Sequence, residues 1–202
     1  MEAGKGKQTP GVWTASLLSL SPEETFRVGQ ELGASIADAC TDRLGKKATA
    51  FRDGVVLALV GELGSGKTVF TKGLAAGIGV SDRAGVTSPT FVLRQDYDGR
   101  LRIHHYDVYR LSGPPELLAL GFEEDIRPGA VVAVEWADRV LEAIPPDALF
   151  VELEHGEGGA QVPGSLPSDS CRRRITFRGD PGIWRDLVDR MLTLKFPLRI
   201  IR

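Results

Sequence analysis

The stretch Val55-Val56-Leu57-Ala58-Leu59-Val60-Gly61-Glu62-Leu63-Gly64-Ser65-Gly66-Lys67-Thr68 decides how the rest of the sequence is read. An unbroken apolar run, the pattern of a strand, stops at a glycine. A glycine-rich loop follows, then Lys-Thr, then a segment with helical spacing. This is the G-x-x-x-x-G-K-[ST] phosphate-binding pattern in its required setting of strand, loop and helix. Gly61, Gly64 and Gly66 let the backbone turn and approach a polyphosphate closely. Successive N–H groups and the helix N-terminus then offer an anion site. Lys67 can reach the β/γ-phosphates, and the Thr68 hydroxyl can ligate Mg²⁺. Glu62, Leu63, Gly64, Ser65, Gly66, Lys67, Thr68 and Val69 are therefore the candidate nucleotide contacts.

Working outward, 202 residues with 42% hydrophobic and 26% charged content suit one globular domain with a sizeable core. We expect that domain over residues 11–202, behind a disordered tail at 1–10. A net charge of −2 gives no global attraction to nucleic acid. Cys40 and Cys171 lie far apart and form no metal-type cluster, which fits a reducing cytoplasm. The first ten residues lack the apolar core of a signal peptide, and no apolar run reaches the roughly 20 residues of a membrane span.

Along the chain, Val12–Leu18 reads as a first strand. Ser21-Pro22-Glu23-Glu24 has capping-box spacing with proline at the first helical position, opening a helix to about Leu44. The phosphate-loop helix should run from Gly66 to about Ile78 and end near Gly79. Ser88-Pro89-Thr90 interrupts a β-rich segment, so a strand is expected from Phe91. Asp98-Gly99 predicts a two-residue hairpin turn, with Leu101–Tyr106 returning antiparallel. Pro114–Leu120 reads as a short helix, Ala130–Val134 as a buried-type strand and Ala137–Ile144 as a helix stopped by Pro145-Pro146. Leu149–Leu153 is another strand, 155–170 a flexible Gly/Pro/Ser loop, and Arg172–Phe177 an edge strand. Asp180-Pro181 opens a last helix through about Leu194. The resulting fold class is α/β, with a mixed, mostly parallel sheet carrying an antiparallel hairpin.

Nucleotide hydrolysis on such a loop calls for a carboxylate at the carboxyl end of a neighbouring strand. Glu135, after Val131-Val132-Ala133-Val134, and Asp107, after Leu101–Tyr106, are the candidates. Thr90, with Ser88 beside it, is the candidate γ-phosphate sensor. His104 and His105 point to opposite faces of a strand and do not suit one ion. We expect one toward the core or site and the other toward solvent. Arg172-Arg173-Arg174 reads as a solvated strand edge, with a phosphate or RNA patch as the alternative.

Taken in order, Gly61–Thr68, Thr87-Ser88-Pro89-Thr90-Phe91, His105-Tyr106-Asp107-Val108-Tyr109-Arg110-Leu111, Glu116-Leu117 with Gly121, and Val134-Glu135-Trp136 resemble the bacterial TsaE (YjeE) family over about residues 20 to 153. That family is the ATPase component of tRNA threonylcarbamoyladenosine biosynthesis. The resemblance implies a P-loop fold using ATP and Mg²⁺. It implies slow ATP hydrolysis in support of the TsaD and TsaB pair, which modifies adenosine 37 of tRNAs reading codons that begin with A. Carried over by motif, Lys67 and Thr68 hold phosphate and Mg²⁺, and Glu135 is the second Mg²⁺ ligand. Asp107 and Thr90 lie near the γ-phosphate, Thr25 lies near the adenine, and Trp136 is a functional position. Glu62 and Val69 stand where Asp and Thr are frequent.

A small-molecule kinase is the alternative on the same fold, and it would need an acceptor pocket and an Arg-bearing lid. A guanine-reading N-K-x-D motif is excluded, since the sequence contains no asparagine. A scaffold that binds without turnover is the blandest alternative, because the hydrolytic water has no obvious base. Feeble activity alone, stimulated by the partner pair, is the corresponding expectation.

Overall fold

A computed structural model describes residues 11–41, 51, 53–81, 85–156, 171–196 and 200–201. The expected tail at 1–10, most of the expected loop at 155–170 and the expected last turn of the first helix lie outside these residues. Eight strands form one mixed sheet. In chain order the elements are β1 (Trp13–Ser19), α1 (Pro22–Thr41), β2 (Val55–Val60), α2 (Lys67–Ile78), β3 (Arg94–Tyr97) and β4 (Arg102–Asp107). Then come α3 (Pro114–Ala119), α4 (Phe122–Asp125), β5 (Ala130–Glu135), β6 (Leu149–His155), β7 (Arg173–Gly179), α5 (Asp186–Lys195) and β8 (Ile200–Ile201).

The sheet order is β3-β4-β5-β2-β6-β7-β1-β8. The four central strands, β4, β5, β2 and β6, are parallel to one another. The expected hairpin pairs β3 antiparallel to β4, and on the other side β7 pairs antiparallel to both β6 and β1. Strand alternation splits the apolar run of β2 between two cores. Val55, Leu57 and Leu59 pack with α1, α2 and α5, while Val56 and Ala58 pack with α3, α4 and the turns after β5. The result is three layers, with β2 buried on both faces as an all-apolar run requires.

Local chemistry sets several boundaries. The Glu24 N–H donates to Ser21 Oγ at 3.2 Å, and Glu24 Oε2 accepts from the Leu20 N–H at 2.6 Å, so the capping box closes one residue upstream of its usual return contact. Gly79 ends α2 in the left-handed conformation, φ 95°, with its N–H on the carbonyls of Ala75 and Ala76. Asp180 Oδ1 accepts from the Gly182 N–H at 2.7 Å and starts the turn that becomes α5.

Four expectations are corrected. The strand expected from Phe91 begins at Arg94, because the Pro89 carbonyl takes the N–H groups of Val92 and Leu93 and turns the chain there. Asp98-Gly99 forms no two-residue turn. Tyr97 pairs with Ile103, and the Arg100 N–H docks on the Ile78 carbonyl at the end of α2, which lengthens the loop. The helix expected over 137–144 is two single 3₁₀ turns, Ala137–Arg139 and Leu141–Ala143, broken by Val140 at φ −134°. The edge strand expected at Arg172–Phe177 is β7, an interior strand with neighbours on both sides.

Helices α1 and α2 meet through glycine. A Cβ on Gly29 would lie 2.2 Å from the Phe70 carbonyl oxygen, on Gly33 2.3 Å from that of Leu74, on Gly73 1.9 Å from that of Phe26, and on Gly77 2.0 Å from that of Gln30. Backbone therefore touches backbone, and no side chain separates the two helices. We predict that Gly73→Ala destabilises the protein by about 2–3 kcal/mol through forced separation. Helix propensity alone would give a gain of about 1 kcal/mol, so the sign of the change in a denaturant titration decides between the two.

Candidate nucleotide-binding site

The sheet brings several chain segments to one edge. The parallel strands β4, β5, β2 and β6 all end there. Because β7 runs antiparallel to β6, it starts there, and β1, antiparallel to β7, ends there. Ligands of open α/β sheets bind at this carboxyl edge. The loop after β2 lies in its middle.

Gly61, Gly64 and Gly66 hold φ of 146°, 77° and 102°. At Gly61 a Cβ would also lie 2.3 Å from the Leu153 carbonyl oxygen of β6, so only glycine fits there. The Phe70 N–H donates to the Gly66 carbonyl at 2.9 Å and opens α2. Lys67 is only 4% exposed. Its Nζ donates to the carbonyls of Gly61 at 2.6 Å and Glu62 at 2.9 Å, and it sits 3.6 Å from the centre of the Trp136 ring. Burial pushes the Lys67 pKa below its ordinary value, while Glu135, Asp138 and Asp107 pull the other way. Ser65 Oγ is buried with no hydrogen-bond partner.

Two carboxylates flank this loop. Glu135, ending β5, accepts from Thr68 Oγ1 at 2.9 Å through Oε2 and pairs with His105 Nε2 at 2.8 Å through Oε1. Asp107, opposite Glu135 in the β4–β5 register, accepts from Thr90 Oγ1 at 2.7 Å and from Ser88 Oγ through Oδ2. Its Oδ1 accepts from the Tyr109 N–H at 3.1 Å. The only left-handed non-glycine residues among those described adjoin this region: Leu93, φ 65°, and Trp136, φ 64°. The Leu93 carbonyl accepts the Asp107 N–H, and the Trp136 ring packs at a 48° tilt against Tyr109 with centroids 4.8 Å apart.

Thr25 is buried at the start of α1, with Oγ1 2.9 Å from Ser19 Oγ. Its methyl would lie 3.5 Å from a Cβ on Gly66, so it borders the loop. Leu63, 83% exposed, projects from the loop into solvent. The structure thus gathers Thr25, the Gly61–Thr68 loop, Thr90, Asp107, Glu135 and Trp136 around one edge.

The donor set fits a magnesium nucleotide. Thr68 and Glu135 supply adjacent hard oxygens of the kind Mg²⁺ takes. Lys67 supplies a cation, and the glycine cradle with its unpartnered Ser65 hydroxyl leaves polar backbone and side chain for phosphate.

The segment that carries Thr25 through Trp136 matches a known protein family. The profile of the family described as "Threonylcarbamoyl adenosine biosynthesis protein TsaE" matches residues 21–162. The chain belongs to the TsaE family. Among TsaE-family relatives, it is 40% identical to the tRNA threonylcarbamoyladenosine biosynthesis protein TsaE of Treponema pallidum over 50% of this chain and 73% of that one. It is 40% identical to the protein of the same name in Bacillus subtilis over 56% of this chain and 71% of that one. The crystal structure of Bacillus subtilis YdiB aligns with this TsaE-family chain at a TM-score of 0.61 and 29% identity, covering 91% of this chain and 97% of that one. The fold is accordingly P-loop NTPase-like. Among the described residues, no helix is long and apolar enough to cross a membrane.

The sequence reading missed three features. Both histidines are buried, and neither faces solvent. His105 orients Glu135, whereas His104, on the other face, joins Asp96 at 2.9 Å and lies 3.4 Å from Asp125. The two-residue strand period separated them correctly but did not show that both faces of β4 are covered. Arg173, expected on a solvated strand edge, is only partly exposed. Its guanidinium lies on the phosphate loop, a contact with no signal in local sequence.

Asp96, His104 and Asp125 place ligand atoms within 4.8 Å of one another. Arg94, however, donates to Asp125 at 3.0 Å and to both Asp96 oxygens at 3.1 Å, so the cluster is already balanced by a guanidinium. Burial works against the Asp96 carboxylate, but Arg94 and His104 outweigh it and hold its pKa down to about 2 from an ordinary 3.8. A carboxylate with a depressed folded pKa stabilises the fold above its unfolded pKa and loses that contribution as pH falls. The stability advantage of wild type over Asp96→Asn should therefore be full near neutral pH and shrink from about 3.8 towards about 2. Unfolding titrations of both proteins across that range check it, and a pH-independent difference would contradict it.

Proposed function

We propose that this chain binds ATP with Mg²⁺ at Gly61–Thr68 and hydrolyses it slowly in the cytoplasm. In this reading, hydrolysis supports a TsaD and TsaB pair in threonylcarbamoylation of adenosine 37 in tRNAs reading codons that begin with A. The observation that carries the reading is the meeting of Thr68 Oγ1 and Glu135 Oε2 at 2.9 Å beside the buried Lys67. A hydroxyl from the loop and a carboxylate from the neighbouring strand are the pair that would hold Mg²⁺. When bound, the ion neutralises charge on the phosphate oxygens.

The chain's own residues account for the rest of the proposed cycle. Lys67 exchanges the Gly61 and Glu62 carbonyls for phosphate oxygens. The Trp136 ring over Nζ keeps bulk water off the ammonium in the meantime. His105 fixes the orientation of Glu135 through Oε1, leaving Oε2 toward Thr68. Asp107 orients the attacking water, and Thr90 is the hydroxyl at hand for the γ-phosphate.

Slow turnover has a physical cause here. Asp107 Oδ2 already accepts from Thr90 and Ser88, so that oxygen is engaged rather than open to an attacking water. A partner that drew the Ser88–Thr90 loop away would free that oxygen, which is how stimulation by the TsaD and TsaB pair would arise.

Reconstituted threonylcarbamoylation, run with and without this protein, is the direct test. Lys67→Ala should weaken ATP binding by at least about tenfold. Glu135→Ala should lower ATP turnover by on the order of 10²-fold. Both should fail to support modification. A Lys67→Ala variant that fully supported modification would sink the reading, and phosphate transfer to a small acceptor would favour the kinase instead.

Nucleotide binding should also report on Trp136. Trp13 and Trp184 are buried in the core beneath α1 and α5, away from the loop. Displacement of Lys67 should therefore change Trp136 emission on addition of Mg-ATP, with the change lost in Trp136→Phe.

A further inference from the structure

We infer that Arg173 is a positioning residue that pre-forms the phosphate loop from its outer side. The inference rests on the nucleotide-binding reading above and assigns work to a residue beyond the phosphate-loop motif.

Arg173 stands at the start of β7, paired with His155 of β6 and Ser19 of β1, so its backbone is held by ladders on both sides. From there Nε donates to the Ser65 carbonyl at 3.0 Å and Nη2 to the Gly64 carbonyl at 2.9 Å. Nη1 donates to the Arg172 carbonyl at 2.8 Å, which fixes the plane of the fork.

These two carbonyls belong to peptides whose N–H groups are those of Ser65 and Gly66. In a trans peptide the N–H points opposite to the C=O, and no cis bond occurs among the described residues. Both N–H groups are therefore turned away from Arg173 and into the loop, where the Ser65 N–H donates to the Glu62 carbonyl at 3.2 Å. A guanidinium on the oxygens polarises the peptides, which strengthens the Ser65 contact to Glu62 and makes the Gly66 N–H a stronger donor to an anion.

Two cations divide the loop. Lys67 holds Gly61 and Glu62 from within, and phosphate competes for it. Arg173 holds Gly64 and Ser65 from outside, on a face that ligand does not occupy. When Lys67 moves to phosphate, the Arg173 half remains in place, and the ordering cost of binding falls accordingly. The group recognised is the polyphosphate, so the effect is the same for the diphosphate and triphosphate forms of the nucleotide.

Strand alternation turns Arg174 to the other face of the sheet, which makes it a matched control for the loss of one charge. Calorimetric titration of Mg-ATP and Mg-ADP into wild type, Arg173→Ala, Arg173→Lys and Arg174→Ala tests the inference. Arg173→Ala should bind both nucleotides about tenfold more weakly than wild type. Arg174→Ala should match wild type within about twofold. Arg173→Lys should restore part of the loss, because one ammonium replaces a fork.

Amide exchange at residues 64–66 should quicken in nucleotide-free Arg173→Ala while its melting temperature stays near that of Arg174→Ala. Equal nucleotide affinity in Arg173→Ala and Arg174→Ala would overturn the inference. So would a loss of affinity matched by an equal loss of nucleotide-free stability, which is what a merely structural arginine would give. Wild type that bound no nucleotide at all would instead overturn the reading on which the inference rests.

Discussion

A phosphate loop is a stretch of irregular backbone in the middle of a sheet, and its carbonyls must be satisfied without a ladder. That requirement organises this molecule. Lys67 takes two of the carbonyls, Arg173 takes two more, and the N–H groups of Ser65 and Phe70 close on Glu62 and Gly66. The partners come from the first turn of α2 and from a strand more than a hundred residues away. Because those partners lie outside the loop itself, its conformation is a property of the assembled sheet.

The sheet topology makes that assembly possible. A purely parallel sheet would bring only strand ends to the ligand edge. Reversing β7 brings a strand start there, and with it Arg173. A second reversal returns β1 to the same edge, so that α1 begins beside the loop with Thr25. On the far side the β3–β4 hairpin carries Thr90 and Ser88 to Asp107. The nucleotide edge is thus built from the parallel core and from both antiparallel flanks, each contributing side chains the core lacks.

What could be seen in the sequence was what short-range chemistry determines. The apolar run of β2, the glycines and Lys-Thr of the loop, the proline and capping box opening α1 and the Gly79 stop of α2 all act within a few residues. The carboxylates at the ends of β4 and β5 were visible as strand ends, and the register confirms that they are neighbours. What stayed hidden depends on distant partners. Nothing near Arg173 announces the loop it serves. The Asp98-Gly99 turn signal lost to the Ile78 carbonyl, and the helical spacing after Trp136 lost to a left-handed residue and Val140. One of the two adjacent histidines was expected at solvent, yet both are covered, His104 with Asp125 arriving beside it from α4.

The glycine contact between α1 and α2 bears on how this molecule can move. Packed side chains can exchange rotamers and let helices slide, but two backbones in van der Waals contact have no such slack. The helix that follows the phosphate loop and the helix that opens at Pro22 are therefore packed as one unit on the larger core of the sheet. The layer on the other face of the sheet has no such rigid pair, being built of short helices and single turns.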